Sequence, residues 1–141
     1  LVRDLANALI ASKALKVYVC NVATQRGETD GFMVKDHVNA LLRHLPSNPF
    51  HFVLANDRVG AVLPPHWHVS QVSMGSGDLG VPGTDVVQVD LVDPNNPLRH
   101  DPKKLASALM RLYYDKSGVA GQPRAAGFGE PSEVDVTAES A

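Results

Sequence analysis

Hydrophobic and polar positions follow two different spacings along this chain, one typical of helices and the other of strands. Where apolar residues recur every three or four positions, we predict amphipathic helices over residues 2–12, 34–45 and 102–114. Pro46 ends the second of these helices. The third begins at Asp101 and Pro102, because aspartate is a favoured N-cap and proline suits the first helical position.

The remaining apolar segments are short runs rich in β-branched residues, which is typical of strands buried on both faces. They predict strands over residues 16–22, 50–55 and 85–92, with a shorter one over 59–62. Residues 63–84 are rich in proline, glycine and serine, which predicts a long irregular segment. Strands that alternate with helices indicate an α/β fold, in which a mostly parallel, Rossmann-like sheet forms the middle of three layers.

The periodic pattern divides the chain into two parts. Residues 1–115 are predicted to form an α/β domain. Residues 116–141 lose the apolar spacing and are rich in Gly, Ala, Pro, Ser and Glu, which predicts a disordered tail. The chain opens at Leu1 inside a helical pattern and not at a methionine, so we expect it to be the C-terminal part of a longer protein.

Composition and charge exclude several classes of protein. The net charge of −2 lacks the basic excess of a nucleic-acid surface. No apolar run approaches the ~20 residues that cross a bilayer, and the first residues of the sequence lack the basic-then-apolar pattern expected of a signal segment. The single cysteine, Cys20, cannot form an internal disulfide and suits a reducing compartment, so we expect a cytoplasmic protein.

Polar side chains cluster in the loop between the first strand and the second helix. Open α/β sheets bind their ligands beside the carboxyl ends of the strands, and this loop leaves such an end. Its candidate ligand-binding residues are Asn21, Thr24, Gln25, Glu28, Thr29 and Asp30. The same residue types also close turns and cap helices, so a purely structural role stays open.

Two further candidates lie just before the third predicted helix. Arg99 and His100 precede a helix N-terminus, where unpaired N–H groups and a partial positive charge favour anions. The arginine adds a forked donor suited to phosphate oxygens. The alternative is a solvated arginine beside a capping turn, because exposed ion pairs contribute little.

The histidines and the tryptophan leave alternatives of their own. Trp67, the only tryptophan, could stack on a base or pack onto the sheet. His66 and His68 flank it at a metal-binding spacing, but no further ligands are close in sequence, so we expect no metal site. Asp36 and His37 point about 100° apart on a helix, which favours a structural or site-rim role over an acid–base pair.

Two segments of the chain resemble one protein family. Residues 17–44, VYVCNVATQRGETDGFMVKDHVNALLRH, resemble the signature of the YvcK, or gluconeogenesis-factor, family. Residues 86–112, VVQVDLVDPNNPLRHDPKKLASALMRL, are similar to that family's C-terminal strand, Arg-His-Asp turn and helix. The family belongs to the superfamily of 2-phospho-L-lactate transferase. The resemblance implies that the chain is the C-terminal portion of a larger CofD-like domain. The family's Gly-rich first strand-turn-helix, which helps to hold the ligand, has no counterpart here.

The resemblance also implies a function. Arg99 matches an arginine implicated in binding a uridine-diphosphate sugar, and Trp67 stands near the place of a tyrosine implicated in nucleotide binding. The implied protein is a regulator that binds a UDP-sugar such as UDP-N-acetylglucosamine, linked to carbon metabolism, cell-wall precursor supply and cell shape. The alternatives are a 2-phospho-L-lactate transferase-like enzyme and a structural part of a homo-oligomer. We assign no catalytic residue and no certain cofactor.

The chain departs from the family signature at two positions in the polar loop. Arg26 stands where the family usually has proline, and Met33 where it usually has threonine or serine. Methionine is a poor helix cap, so Asp30 or Asp36 must supply the negative charge at the start of the second helix.

Overall fold

Three parallel strands form the centre of the computed structural model, which describes residues 2–75 and 79–117. They are β1 (Val17–Val19), β2 (Phe52–Asn56) and β3 (Asp85–Val89). β2 lies in the middle, with Phe52 opposite Val17 on one side and Asp85 on the other. All five residues of β2 are buried, as its continuous apolar run predicts.

Helices pack against both faces of this sheet. Alternate residues of a strand point to opposite sides, so β2 contributes apolar side chains to each face. The helices are α1 (Arg3–Ala11), α2 (Val34–Leu42) and α3 (Pro102–Ser117). On one face, Val53 and Ala55 of β2 belong to the same buried cluster as Val34 and Val38 of α2. On the other face, Phe52 and Leu54 cluster with Leu112 of α3. The predicted three-layer α/β fold is confirmed.

A β-hairpin follows β3, in a segment where the sequence predicts a strand to residue 92 and then a turn. β4 (Val92–Asp93) pairs antiparallel with β5 (Asn96–His100), and Val92 lies opposite His100. Asp93 Oδ1 accepts the N–H of Asn95 at 2.8 Å, which closes the turn between the strands. The predicted 85–92 strand is wrong after Val89. The N–H of Leu91 donates to the Asn56 side chain and that of Val92 to the Asp90 side chain, so the pairing with β2 ends there and Val92 belongs to the hairpin.

Two other strand predictions also need correction. β1 is shorter than residues 16–22: Cys20 N–H still donates to the Leu54 carbonyl at 2.9 Å, but the chain then leaves the sheet. There it forms an isolated antiparallel bridge between Ala23 and Gln71. The predicted strand over 59–62 is wrong, since these residues form a loop. The irregular segment over 63–84 is confirmed in its described part, apart from one 3-10 turn at Pro65–Trp67.

The three predicted helices all form, with small differences at their ends. α3 continues to Ser117, and residues 118–141 of the predicted tail lie outside the described residues. Its start is confirmed: Asp101 Oδ1 accepts the N–H groups of Lys103 and Lys104 at 2.8 and 3.0 Å. α1 buries only Ala6 and leaves Leu5 61% exposed. Within residues 2–75 and 79–117, no helix is long and apolar enough to cross a membrane.

Candidate functional site

The carboxyl ends of β1, β2 and β3 lie at the same edge of the sheet, because the strands are parallel. A cleft of about 320 Å³ opens there, between the loop after β1 and the end of β5. Its lining residues are Asn21, Val22, Ala23, Thr24, Gln25, Leu98 and His100. The structure thus brings His100 together with the first part of the polar loop, 75 or more residues earlier in the sequence.

His100 is fixed in this cleft through its imidazole. The Nε2 atom lies 3.1 Å from the carbonyl oxygen of Cys20, at the end of β1. Because a carbonyl oxygen only accepts, Nε2 carries the hydrogen and donates it. In the neutral ring this leaves Nδ1 as an acceptor nitrogen, suited to a hydroxyl or N–H group of a ligand.

The six candidate residues of the polar loop divide into two groups. Asn21 and Gln25 are exposed and line the cleft. Thr24 also lines it, but is only 4% exposed and is held by Ser70. Its N–H donates to the Ser70 carbonyl at 2.8 Å, and its hydroxyl accepts the N–H of Ser70 at 2.9 Å. Thr24 therefore shapes the wall of the cleft.

The other three residues of the loop do not line the cleft. Thr29 Oγ1 accepts the N–H of Gln25 at 2.8 Å, and Asp30 Oδ2 accepts the N–H of Gly27 at 2.7 Å. Both side chains thereby close the turn, the structural role that the sequence left open. Glu28 is exposed on the same turn.

The negative charge at the start of α2 comes from Asp36 and not from Asp30. Asp36 Oδ2 accepts the N–H of Met33 at 2.9 Å, while Asp30 is committed to Gly27. Met33 replaces the threonine or serine that is usual in the family, and its own N–H is capped by a side chain from the first turn of the helix.

His37, the residue after Asp36, has a different environment. It is 7% exposed, and its ring meets that of Phe32 edge-on at 5.3 Å. Its Nε2 atom is buried without a hydrogen-bond partner among the described residues. Burial lowers the pKa of His37, although the carboxylate of Asp36 raises it in part. Asp36 Oδ2 is used by the Met33 N–H and His37 Nε2 has no partner among the described residues, so the two side chains do not form a hydrogen-bonded acid–base pair.

Arg99 and Trp67 are not brought into this cleft. The sequence placed Arg99 in a turn, but it lies in β5 between Leu98 and His100, which both line the cleft. Since neighbouring strand residues point to opposite faces, the exposed Arg99 side chain points away from the cleft. Trp67 is 42% exposed in the 3-10 turn, with its ring 6.2 Å from that of His66.

The histidines beside Trp67 gain no further metal ligands. Among residues 2–75 and 79–117, no group of three or more histidine, cysteine or acidic side chains is placed to hold a metal ion.

Sequence reasoning missed a polar network at the ends of β2 and β3. Asn56 is 3% exposed; its Nδ2 donates to the Arg58 carbonyl at 2.7 Å, and its Oδ1 accepts the N–H of Leu91 at 3.0 Å. Asp90 Oδ2 pairs with Lys104 Nζ at 2.8 Å and with Arg58 at 3.3 Å. The hydrogen bond from Lys104 lowers the pKa of Asp90. Asn56 and Arg58 could have been found from the sequence, because they follow the carboxyl end of a predicted strand, where open α/β sheets bind ligands. Asp90 could not, because the predicted strand over 85–92 included it.

Cys20, beside the cleft, is not exposed at all. Burial raises the pKa of its thiol to about 12, although a hydrogen bond with Tyr18 lowers it in part. A thiol in this state is protonated and unreactive at neutral pH.

The sequence of this chain is similar to one known family and to several of its members. Residues 1–92 match the family described as 2-phospho-L-lactate transferase CofD. A putative gluconeogenesis factor from Clostridium acetobutylicum is 35% identical over 121 residues, which are 82% of this chain and 27% of that protein. One from Thermoanaerobacterium thermosulfurigenes is 38% identical over 79% of this chain and 36% of its own length. The gluconeogenesis factor of Bacillus subtilis is 32% identical over 79% and 37%.

A solved structure shares the fold. A UPF0052-family protein from Bacillus halodurans superposes with a TM-score of 0.66 at 28% sequence identity, covering 78% of this chain and 37% of that one. Across these four proteins, the chain spans between 27% and 37% of their length.

Proposed function

Because the chain belongs to the 2-phospho-L-lactate transferase CofD family, in which it is similar to gluconeogenesis factors, we propose that it binds a nucleotide sugar. The ligand class is a UDP-sugar such as UDP-N-acetylglucosamine. The proposed role is regulatory and couples the supply of this ligand to carbon metabolism, cell-wall precursor supply and cell shape.

The observation that carries this proposal is the cleft at the carboxyl edge of the sheet, which is lined by both polar and apolar side chains. Its volume of about 320 Å³ lies at the lower end of the range of small-molecule sites, about 300–1,000 Å³. Asn21, Gln25 and His100 offer amide and imidazole groups to it, which are suited to the hydroxyl and amide groups of a sugar or a base. These are uncharged or weakly basic groups, as expected of a site for a neutral sugar or base.

The residues of this cleft support binding more than covalent chemistry. The Thr24 hydroxyl in the wall is engaged by Ser70, and the Cys20 thiol beside the cleft is buried and has a pKa of about 12. The Cys20 carbonyl oxygen accepts from His100 Nε2, so that nitrogen is used for positioning and not for activating a nucleophile. A regulatory ligand that is bound and released unchanged needs no such activation.

A calorimetric titration with UDP-N-acetylglucosamine tests the proposal, with the emission of Trp67 followed in parallel. We expect saturable binding, weakened about tenfold by His100→Ala or Asn21→Ala through loss of one ligand hydrogen bond. Glu28→Gln, on the same loop but outside the cleft, is the matched control and should bind as the parent does. The absence of binding at millimolar ligand would refute the proposal.

The role of Arg99 is a separate part of the proposal. Its match to the family signature implies a contact with the UDP-sugar, while its side chain points away from the cleft. Arg99→Ala in the same titration decides: weaker binding supports the assignment, and unchanged binding removes Arg99 from the site.

A phospholactyl transferase is the second candidate, and the match of residues 1–92 to a family described by that activity favours it. The test supplies a guanylylated phospholactyl donor and a deazaflavin acceptor and measures the transferred product. Product formed in proportion to protein would replace the regulatory proposal, and no product above background would leave it in place.

The cellular location and assembly belong to the same proposal. One buried cysteine suits a reducing compartment, so we place the protein in the cytoplasm. Association with a further copy of the protein is also part of the proposal, and Leu5 of α1, which is 61% accessible, is the position chosen to disrupt it. Light scattering with Leu5→Glu as the disrupting variant tests this: a parent that is monomeric at all concentrations refutes it.

A further inference from the structure

A second cleft, of about 190 Å³, lies beside the first and contains two backbone donors aimed at one atom. It is lined by Arg58, Val59, Gly60, Ala61, Gln71 and Val92. The N–H groups of Gly60 and Ala61 both donate to Oε1 of Gln71, at 2.7 and 2.8 Å. Gly60 has φ +105°, a conformation that favours glycine and that turns these successive N–H groups toward the same point.

Successive backbone N–H groups that converge on one point form an anion-binding concavity. Here the atom at that point is a neutral amide oxygen, which is a weaker acceptor than the charged oxygen of a phosphate. The Gln71 side chain can rotate away without releasing this segment. The bridge to Ala23 is formed by backbone groups, with hydrogen bonds from the Thr24 N–H to the Ser70 carbonyl and from the Val72 N–H to the Val22 carbonyl. An incoming anion can therefore replace the Gln71 amide oxygen as the acceptor of both N–H groups.

Arg58 provides the positive charge at this cleft. Its guanidinium pairs with Asp90 at 3.3 Å, but its side chain is 63% exposed. Asp90 has a closer partner in Lys104, at 2.8 Å. Because Lys104 keeps Asp90 paired, Arg58 can turn to an anion at little electrostatic cost.

The second cleft lies next to the first, because residues that line one cleft are paired through the backbone with residues that line the other. Gln71 of the second cleft is bridged to Ala23 of the first, and Val92 of the second is paired with His100 of the first. Paired residues of antiparallel strands lie ~5 Å apart, so one extended ligand can reach both clefts.

We propose that Arg58 and the N–H groups of Gly60 and Ala61 form a diphosphate subsite, in which the Gln71 amide oxygen holds the place of a phosphate oxygen. A nucleotide sugar then spans both clefts, with its sugar or base beside Asn21 and His100. The identity of this ligand rests on the proposed function, whereas the affinity for a diphosphate does not.

Amide resonances of the full chain provide the direct test. In ¹H–¹⁵N spectra, inorganic pyrophosphate and UDP-N-acetylglucosamine should both shift the Gly60 and Ala61 signals, and uridine, which carries no phosphate, should not. Only the nucleotide sugar should also shift the signals of Asn21 and Gln25.

Three variants separate the roles of the side chains. Arg58→Gln should weaken pyrophosphate binding on the order of tenfold, the effect of one charge-assisted hydrogen bond. Gln71→Ala should strengthen it about threefold, because the competing acceptor is removed. Arg111→Gln, an exposed arginine paired with Asp115 at 3.9 Å and outside the cleft, is the matched control and should leave it unchanged. Guanidinium unfolding of each variant identifies any that is not folded.

The outcomes distinguish this inference from the proposed function. If the nucleotide sugar shifts Asn21 and Gln25 while Gly60 and Ala61 stay fixed, the subsite is refuted and the proposed function stands. If pyrophosphate shifts Gly60 and Ala61 while the nucleotide sugar binds nowhere, the subsite stands and the proposed function fails. A folded Gln71→Ala variant with unchanged or weaker pyrophosphate binding overturns the exchange between Gln71 and phosphate.

Discussion

Thr24 and Ser70 hold each other through a reciprocal pair of hydrogen bonds: the Thr24 N–H donates to the Ser70 carbonyl, and the Ser70 N–H donates to the Thr24 hydroxyl. The two residues are 46 positions apart in the sequence. Their contact, together with the bond from Val72 N–H to the Val22 carbonyl at 2.9 Å, fastens the irregular segment to the loop after β1. Thr24, which was predicted from the sequence to contact a ligand, therefore holds one wall of the first cleft in place.

Removal of the Thr24 hydroxyl should destabilise the fold more than it changes the surface of the cleft. Thr24→Val keeps the shape but leaves the N–H of Ser70 without its acceptor, which should lower the free energy of unfolding by about 1–3 kcal/mol. Thr24→Ser keeps the acceptor and is the matched control. Guanidinium unfolding measures both. Equal stability of the Val and Ser variants would contradict this role.

Asn56 should be one of the most sensitive polar positions of the chain. Its side chain joins the ends of β2 and β3, and Asn56→Ala leaves the N–H of the fully buried Leu91 unpaired. We expect a loss of about 1–3 kcal/mol in unfolding free energy, with faster hydrogen exchange at the Leu91 amide. Asn95→Ala, in the exposed turn of the hairpin, provides the comparison. Slow exchange at Leu91 in the Asn56 variant would disprove the link.

His37 should make the fold sensitive to acid. Burial lowers its pKa below the ordinary 6.5, so the unfolded chain takes up a proton before the native state does. Above pH 6.5 both states are neutral at this residue, and its contribution to stability is fully present. As the pH falls through 6.5 toward the lowered native pKa, this contribution is progressively lost.

The measurement is the free energy of unfolding at about pH 7.5 and about pH 5.5. His37→Phe, which keeps a ring against Phe32, should reduce the loss of stability between the two conditions. His66→Gln, which removes an exposed imidazole, should leave it as in the parent. A His37→Phe variant with the full acid sensitivity of the parent would show that other groups cause it.

Cys20 should be inert to thiol reagents in the native protein. It is completely buried, and its pKa is raised to about 12, so neither access nor the thiolate form is available at neutral pH. Ellman's reagent should detect no thiol in the native chain and one in guanidinium, matching the single cysteine. Cys20→Ala should give no signal in either condition. Rapid reaction of the native protein would contradict the buried environment.

The sequence by itself determined the layers of the fold and the edge of the sheet at which the cleft lies. Apolar spacing predicted all three helices and the three strands of the parallel sheet, because these patterns reflect which face of each element is buried. The Asp101-Pro102 start of α3 was also predictable, since a cap uses only neighbouring residues. The polar loop marked the carboxyl end of β1 for the same local reason.

Only the tertiary structure decided which polar side chains are used inside the fold and which remain for a ligand. Thr24 is bound by Ser70, and Gln71 is bound by Gly60 and Ala61, while Asn21 and Gln25 stay exposed in the cleft. These partners are separated by 10 to 46 positions, so no local pattern encodes them. A hydrogen bond depends on the distance between two groups in space, and that distance is set when the sheet, the hairpin and the irregular segment pack together.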